Sequence, residues 1–213
     1  MSETNLSELY EATLQLSNLT ALQQNVLRAA LKLFAQQGFS ATSTAQIAKE
    51  ANVSSGSVFK QFPTKEALLN AVLAPFFQGI LDTSVDDFVA NGMTENPVKL
   101  DDFITLFVKD RFYFIRDNLE IMELITEQML TNPEFLAKLQ AFLRPQFEKH
   151  VIPQLDELMK NGELKKLPYD TILQLILGTI HGYFAKLHMK MNVRSIDEEI
   201  KLTSQMLISA LKK

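Results

Sequence analysis

The feature that constrains this chain most is a pair of short helices joined by a tight turn, within residues 43–69. Ser43 and Gln46 have the spacing of a capping box, in which each side chain satisfies a free backbone N–H group at a helix start. Asn52 then tolerates the left-handed conformation that a turn between two helices needs. A helix, a short turn and a second helix together predict a helix-turn-helix unit.

The second helix of this unit is predicted over residues 55 to about 62, and its outer face suits contact with DNA. Val58 and Phe62 lie one turn apart on the face that must be buried. The remaining positions carry short hydroxyl donors and long polar side chains that can reach base edges in the major groove. These candidate DNA contacts are Ser54, Ser55, Ser57, Lys60 and Gln61. The alternative is an ordinary three-helix module with a polar face.

Lys65 is predicted to contact phosphate. It lies in the first turn of the next helix, where free backbone N–H groups favour an anion and the helix dipole does not favour a cation. Residues 18–74 also carry five basic and two acidic side chains, whereas the whole chain has a net charge of −4. The predicted module is therefore positively charged, as attraction to phosphate requires, although two copies would be needed to accumulate enough contacts.

Composition predicts an all-α protein and makes an enzyme improbable. Seven glycines in 213 residues and long stretches of 3.6-residue periodicity are typical of helices, and zero cysteines fit a reducing cytoplasm. We find no phosphate-binding glycine loop, metal-ligand motif or nucleophile motif, so no cofactor or metal is expected. The N-terminus has no secretory pattern. A membrane span is not expected either, because the most apolar stretch, residues 171–189, contains Gln174, His181 and Lys186.

Residues 21–69 resemble the N-terminal domain of the TetR (tetracycline-repressor-like) family of transcription regulators. The resemblance rests on AALKLFAQQGF at the end of the first main helix, on Ile47-Ala48, and on the start of the recognition helix. The matching positions are Thr44, Val53, Ser54, Gly56, Ser57, Phe62, Lys65, Glu66 and Leu68. The resemblance implies a homodimeric, all-helical regulator whose C-terminal domain binds a small effector and controls affinity for a palindromic DNA operator.

On this resemblance, Thr44 and Phe59 join the predicted DNA contacts. Phe59 stands where the family usually has tyrosine, so a hydroxyl-to-phosphate bond should be missing, and Pro63 removes a further backbone contact. These departures leave open a second function, a helical small-molecule-binding or interaction protein with weak or lost DNA binding. The predicted domains are an N-terminal extension (1–17), a helix-turn-helix domain (18–74) and a ligand-binding and dimerisation domain (75–213).

The predicted effector site centres on Arg111, a permanent cation within an apolar stripe of the helix over residues 98–117. A guanidinium there needs a partner, either a protein carboxylate or an anionic group of a ligand. Bulky aromatic side chains in the same domain can line a pocket for a largely apolar molecule. The predicted effector site comprises Phe103, Phe107, Arg111, Phe114, Phe147 and Phe184. The same residues also suit an ordinary core.

The last two helices, predicted over residues 169–191 and 195–211, look like the family's dimer-forming pair. Gly178 and Gly182 lie four residues apart, so another helix can approach closely on that face. Ile208 and Leu211 complete the predicted dimer interface. Two roles are possible for residues 1–17, a short helix packed on the module or an arm that contacts DNA. Pro75 is predicted to be either a signalling hinge or a passive bend.

Overall fold

The computed structural model describes residues 6–75, 99–192 and 194–213, and it confirms the all-α prediction. No β-strand occurs within these described ranges, and residues Phe147–Val151 form a π-helical turn. The helices are α1 (Leu6–Leu16), α2 (Ala21–Gln37), α3 (Thr44–Glu50), α4 (Ser55–Gln61), α5 (Lys65–Pro75), α6 (Leu100–Asp117), α7 (Leu119–Thr131), α8 (Pro133–Gln146), α9 (Ile152–Lys160), α10 (Tyr169–His188) and α11 (Ile196–Leu211).

The described residues form two compact units. One contains residues 6–75 together with 120–139, and the other contains 99–119, 140–192 and 194–213. Residues 120–139, which comprise nearly all of α7 and the start of α8, thus belong to the unit that holds the predicted helix-turn-helix. The sequence had grouped them with the C-terminal domain, because nothing local indicates that a helix so distant in sequence packs there.

Helix α1 packs on the rest of its unit through an amphipathic face. Leu6, Tyr10 and Leu14 recur at helical spacing and are buried. At the border of this face Glu11 pairs with Arg28 of α2, with 2.7 Å between the carboxylate and Nε. This packing favours the first of the two roles left open for the N-terminal residues, a helix that supports the module.

The second unit is organised around helix α6, which packs against α10 and α11. Phe112 is fully buried and stacks on Tyr183 of α10, with 3.8 Å between the ring centroids and 8° between the ring planes. The apolar pattern of the sequence also predicts Phe107 and Phe114 on the buried stripe of α6, but both side chains are only half-buried. Two overlapping apolar stripes run along α6, and periodicity alone does not determine which of them faces the core.

The sequence predicts one helix from residue 133 to about residue 160, bent by Pro145 and Pro153. A π-helical turn interrupts this segment. Pro145 lies at the end of α8 and Pro153 at the start of α9. Between them, the backbone N–H of Ile152 donates to the carbonyl of Phe147, five residues earlier. A proline removes a donor from the helical ladder and crowds the preceding turn, and a local π-helical turn accommodates this disruption.

Helix α5 begins at Lys65 and is described as far as Pro75, which is buried. The sequence predicts that this helix continues to about residue 90 and that a loop follows at residues 91–97. Both of these segments lie outside the described residues. The roles proposed for Pro75, hinge or bend, therefore stay predictions. None of the described helices is both long and apolar enough to cross a membrane.

Candidate DNA-binding surface

Reciprocal capping fixes the start of α3, as the sequence predicts. The backbone N–H of Ser43 donates to Oε1 of Gln46 at 2.8 Å, and the N–H of Gln46 donates to Oγ of Ser43 at 3.2 Å. Ile47 and Ala48 face inward and are buried. A helix of seven residues has few internal hydrogen bonds, so these two caps and this burial define where α3 lies.

The turn between α3 and α4 is closed by the backbone. Asn52 adopts a left-handed conformation with φ of +55°, which an asparagine tolerates better than most residues. The N–H of Val53 then donates to the carbonyl of Ala48 at 2.9 Å, which satisfies one of the last carbonyls of α3. The turn therefore fixes the angle at which the next helix leaves α3.

Helix α4 has one buried face and one exposed face. Val58 is fully buried within it, and Phe62, which follows it, is also buried. Ser54 caps the helix by accepting the N–H of Ser57 at 3.0 Å. The outer face consists of Ser55, Gly56, Phe59 and Lys60, all of them exposed. Because the inner face is anchored, this outer face is available to a partner as large as DNA.

The other predicted contacts surround this face with different degrees of exposure. Ser54 is exposed, but its hydroxyl lies 2.8 Å from that of Ser57, so the two hydroxyls already bond to each other. Thr44 is half-buried at the first position of α3, and Gln61 is half-buried at the end of α4. Of the predicted contacts within α4, Ser55, Phe59 and Lys60 are thus exposed on its outer face.

Lys65, the predicted phosphate contact, lies against the loop that follows α2. Its ammonium donates to the carbonyl of Ser40 at 3.3 Å and lies 4.3 Å from the ring centroid of Phe39. These are weak, partly exposed interactions that a phosphate could replace. Its role toward DNA stays a prediction.

Ion pairs occupy two of the five basic side chains of the module. Lys32 bonds to Glu50 of α3 at 2.6 Å, and Arg28 is paired with Glu11. Lys49, Lys60 and Lys65 remain, and within the described residues we find no carboxylate bonded to them. The other acidic side chain of the module is Glu66, at the start of α5. The charge that remains on the predicted DNA-binding surface is therefore net positive.

The structure also shows a contact that the sequence did not predict, between α7 and the loop before α3. The backbone N–H of Phe39 donates to Oε2 of Glu127 at 3.1 Å, and the hydroxyl of Ser40 lies 3.4 Å from Oε1. Gly38, with φ of +82°, ends α2 beside the same carboxylate. The contact joins residues 88 positions apart, and no local sequence signal reveals it.

The predicted effector residues all belong to the other unit, where the structure pairs some of them. Phe103 and Phe107 stack with 6.4 Å between their centroids, and the Arg111 guanidinium lies 5.0 Å from the centroid of Phe114. Arg111 forms an ion pair with its neighbour Asp110. Of the two partners predicted for this guanidinium, the structure therefore shows the protein carboxylate.

Phe184 and Phe147, the other two predicted effector residues, lie on different segments. Phe184 is buried on α10 between His181 and His188, with its ring stacked on that of His188 at 5.9 Å. Phe147 is half-buried on the π-helical turn. Two residues near it in sequence were missed by the sequence argument: the Nε2 atom of His150 and the Oε1 atom of Gln154 are buried, and neither has a hydrogen-bond partner among the residues that the structure describes. A polar group or a water would stabilise these atoms.

The predicted dimer interface is only partly on an open surface. Apart from the neighbouring backbone of its own helix, a side-chain carbon at Gly178 or Gly182 would meet none of the described residues within 4 Å. Leu177 and Met206 are more than half exposed on α10 and α11. Leu211, by contrast, is buried at 1% exposure within its own unit, so it is part of this chain's core.

A buried carboxylate fixes the two helices that present this open surface. Glu199 of α11 is 4% exposed and bonds to Lys186 of α10 at 2.9 Å. Arg194 lies 3.5 Å from the same carboxylate. The hydrogen bond from Lys186 holds the pKa of Glu199 below its ordinary value, although burial opposes this. The helix pair is thus stabilised at neutral pH within one chain.

Comparison with known proteins identifies the N-terminal module. Residues 26–72 match the family of bacterial regulatory proteins called tetR. The chain is 46% identical over 52 residues to the uncharacterized HTH-type transcriptional regulator YuxN of Bacillus subtilis. That match covers 24% of this chain and 18% of YuxN, so it concerns the module alone.

Two solved structures resemble most of the chain. FadR from Bacillus subtilis, in complex with stearoyl-CoA, has a TM-score of 0.65 and 19% identity, covering 87% of this chain and 97% of that one. A protein from Saccharomonospora viridis, in complex with choline, has a TM-score of 0.69 and 15% identity, covering 90% and 97%. At these identities the likeness shows the shared fold, an N-terminal helix-turn-helix followed by a helical domain.

We predict that Glu127→Ala loosens the loop before α3. The Phe39 N–H would lose its acceptor, which costs about 1–3 kcal/mol when the group is shielded from water. Hydrogen exchange at the Phe39 amide should accelerate, with a lower melting temperature. Glu120→Ala, which removes an exposed carboxylate from the same helix, is the control and should leave both unchanged. Equal protection of Phe39 in both variants would show that this hydrogen bond does not hold the loop.

Proposed function

This chain belongs to the TetR family of transcription regulators, and from that premise we propose that it represses transcription by binding an operator and is released by a small, largely apolar effector. The main support for this proposal is the exposed outer face of α4, whose opposite face is held in the core by the buried side chains of Val58 and Phe62. Lys60 lies on this face, Lys49 on α3 and Lys65 at the start of α5, and none of the three bonds to a carboxylate in the described part of the chain. A two-fold dimer would present two such faces to one palindromic duplex.

Selection of duplexes from a random pool by the full chain tests this proposal. We expect enrichment of a palindromic sequence, with binding that weakens as salt increases because counterions are released from phosphates. Retention of random duplexes without any enriched sequence would contradict a specific regulator. It would favour the alternative, a helical binding protein that has lost operator recognition.

We predict that Lys60 and Lys65 contribute to operator binding in different ways. Lys60→Ala should weaken binding by about 1–3 kcal/mol and change the base preference at one position, since this side chain reaches base edges. Lys65→Ala should weaken binding to all duplexes alike and should reduce the salt dependence of binding by the amount expected for roughly one phosphate contact. Fluorescence anisotropy with the selected duplex and its single-base variants measures both.

The matched control for these variants is Lys160→Ala, which removes an exposed lysine from the end of α9. It should leave affinity, base preference and salt dependence unchanged. A uniform loss of affinity in the Lys60 variant, with no change in base preference, would contradict its placement at the base edges.

We further propose that dimerisation uses the open surface of α10 and α11, including Gly178, Gly182 and the half-buried Ile208. The glycines would let a partner helix approach closely, and exposed apolar side chains such as Leu177 and Met206 would be covered. Leu211 contributes from within the core rather than from the surface. Dimerisation at this surface would be isologous, each copy using the same helices.

We predict that Gly178→Leu and Gly182→Leu are monomeric in analytical ultracentrifugation at concentrations where the wild-type chain is a dimer. Both positions lie in open space within one chain, so the added side chains should not disturb its own fold. Lys138→Leu, an equally exposed change on α8, is the control and should remain dimeric. Wild-type dimer affinity in both glycine variants would show that the dimer does not form through this surface.

For the effector we propose a molecule with an apolar chain and an anionic group, bound near Phe103, Phe107, Arg111, Phe114, Phe147 and Phe184. Arg111 supports this, because its side chain is 25% exposed and its ion pair with Asp110 is only partly shielded from water. An anionic group could share or replace that carboxylate. The stearoyl-CoA complex of the similar FadR also supports an acyl chain with anionic groups. The choline complex of the other relative provides the rival, a cationic ligand.

We predict that Arg111→Met stays folded and binds the operator. Its release should require a dodecanoate concentration at least about tenfold higher than for the wild type, because a charge-assisted hydrogen bond to the effector is lost. Arg116→Met is the matched control. Arg116 also pairs with the next residue, Asp117, on the same helix, but it is more exposed. Normal release of the Arg111 variant by dodecanoate, or release of the wild type by dodecyltrimethylammonium alone, would contradict the anionic effector.

A further inference from the structure

Phe59 is an aromatic side chain exposed on the helix proposed to enter the major groove. It is 48% exposed, whereas the adjacent Val58 is fully buried. Its neighbours on the outer face are Ser55, one turn before it, and Lys60, which follows it. A single exposed apolar residue is ordinary on a protein surface. This one, however, lies at the centre of a face whose other members are small or able to form hydrogen bonds.

The chemistry of the phenyl ring limits what it can contact on DNA. The ring has no hydrogen-bonding group, so it cannot donate to a phosphate or to a base edge. Among the groups that base pairs present in the major groove, the C5-methyl of thymine is the apolar one. Contact with that methyl group would remove apolar surface of both partners from water.

We infer that Phe59 packs against a thymine C5-methyl in each half of the operator and thereby determines one thymine of the recognised sequence. The inference rests on the proposed function, because it needs α4 in the major groove. It assigns different tasks to adjacent residues. Lys60 donates to acceptors such as guanine O6 and N7, while Phe59 distinguishes thymine from the other bases through its methyl group.

The inference is tested by replacing each thymine of the selected duplex, one symmetric pair at a time, with deoxyuridine. This change removes only the C5-methyl and keeps base pairing. For the wild-type chain, deoxyuridine at one symmetric pair of positions should weaken binding to the duplex. The loss of affinity should be about fourfold per half-site, the value expected for one buried methyl group. A dimer bound to both half-sites should therefore lose roughly sixteenfold.

The same scan with Phe59→Ala provides a double-mutant cycle. This variant should bind the thymine duplex more weakly than the wild type and should no longer distinguish thymine from deoxyuridine at those positions. Phe59→Leu should keep part of the distinction, because leucine still offers an apolar contact. Leu130→Ala, which removes an 81% exposed leucine on α7, is the control and should show the wild-type profile. Circular dichroism verifies that each variant is folded.

The outcomes separate this inference from the proposed function. If the wild-type chain selects a specific duplex but no thymine responds to deoxyuridine, the inference is overturned and the proposed function stands. If Phe59→Ala keeps the full response, another residue reads the methyl group and the inference is also wrong. If the wild-type chain selects no duplex, the proposed function and the inference fail together.

Discussion

The burial of Val58 is the interaction on which the DNA-binding surface depends. Helix α4 has seven residues, and a helix of that length is not stable in water by itself. Its position is maintained because Val58 is fully buried and Phe62 nearly so, while the Ser54 side chain caps its start. Every proposed contact with DNA, including those of Phe59 and Lys60, depends on the orientation that this small apolar anchor gives to the outer face.

The helix-turn-helix was predictable because the residues that determine it are close in sequence. The capping boxes and the left-handed Asn52 act over three or four residues and are local signals. The core of α6 was less predictable, since Phe107 and Phe112 both belong to plausible apolar stripes. Only the packing of Phe112 on Tyr183 of α10 decides between them. The same limitation explains why Leu211 was placed at a surface, although it is buried in its own chain.

The contact between Glu127 and the loop before α3 links α7 to the segment that leads into the helix-turn-helix, within one compact unit. Glu127 accepts the N–H of Phe39, and Lys65 bonds to Ser40 in the same loop. A shift of α7 would therefore act on this segment and on one proposed phosphate contact. Sequence reasoning did not reveal this contact because its partners are 88 residues apart.

Hydrogen exchange of the full chain, with and without a bound operator duplex, measures whether the outer face of α4 binds DNA. We expect new protection of backbone amides within residues 43–65, with little change in α10 and α11. Protection confined to α10 and α11, or none within residues 43–65 despite saturated binding, would show that DNA binds elsewhere.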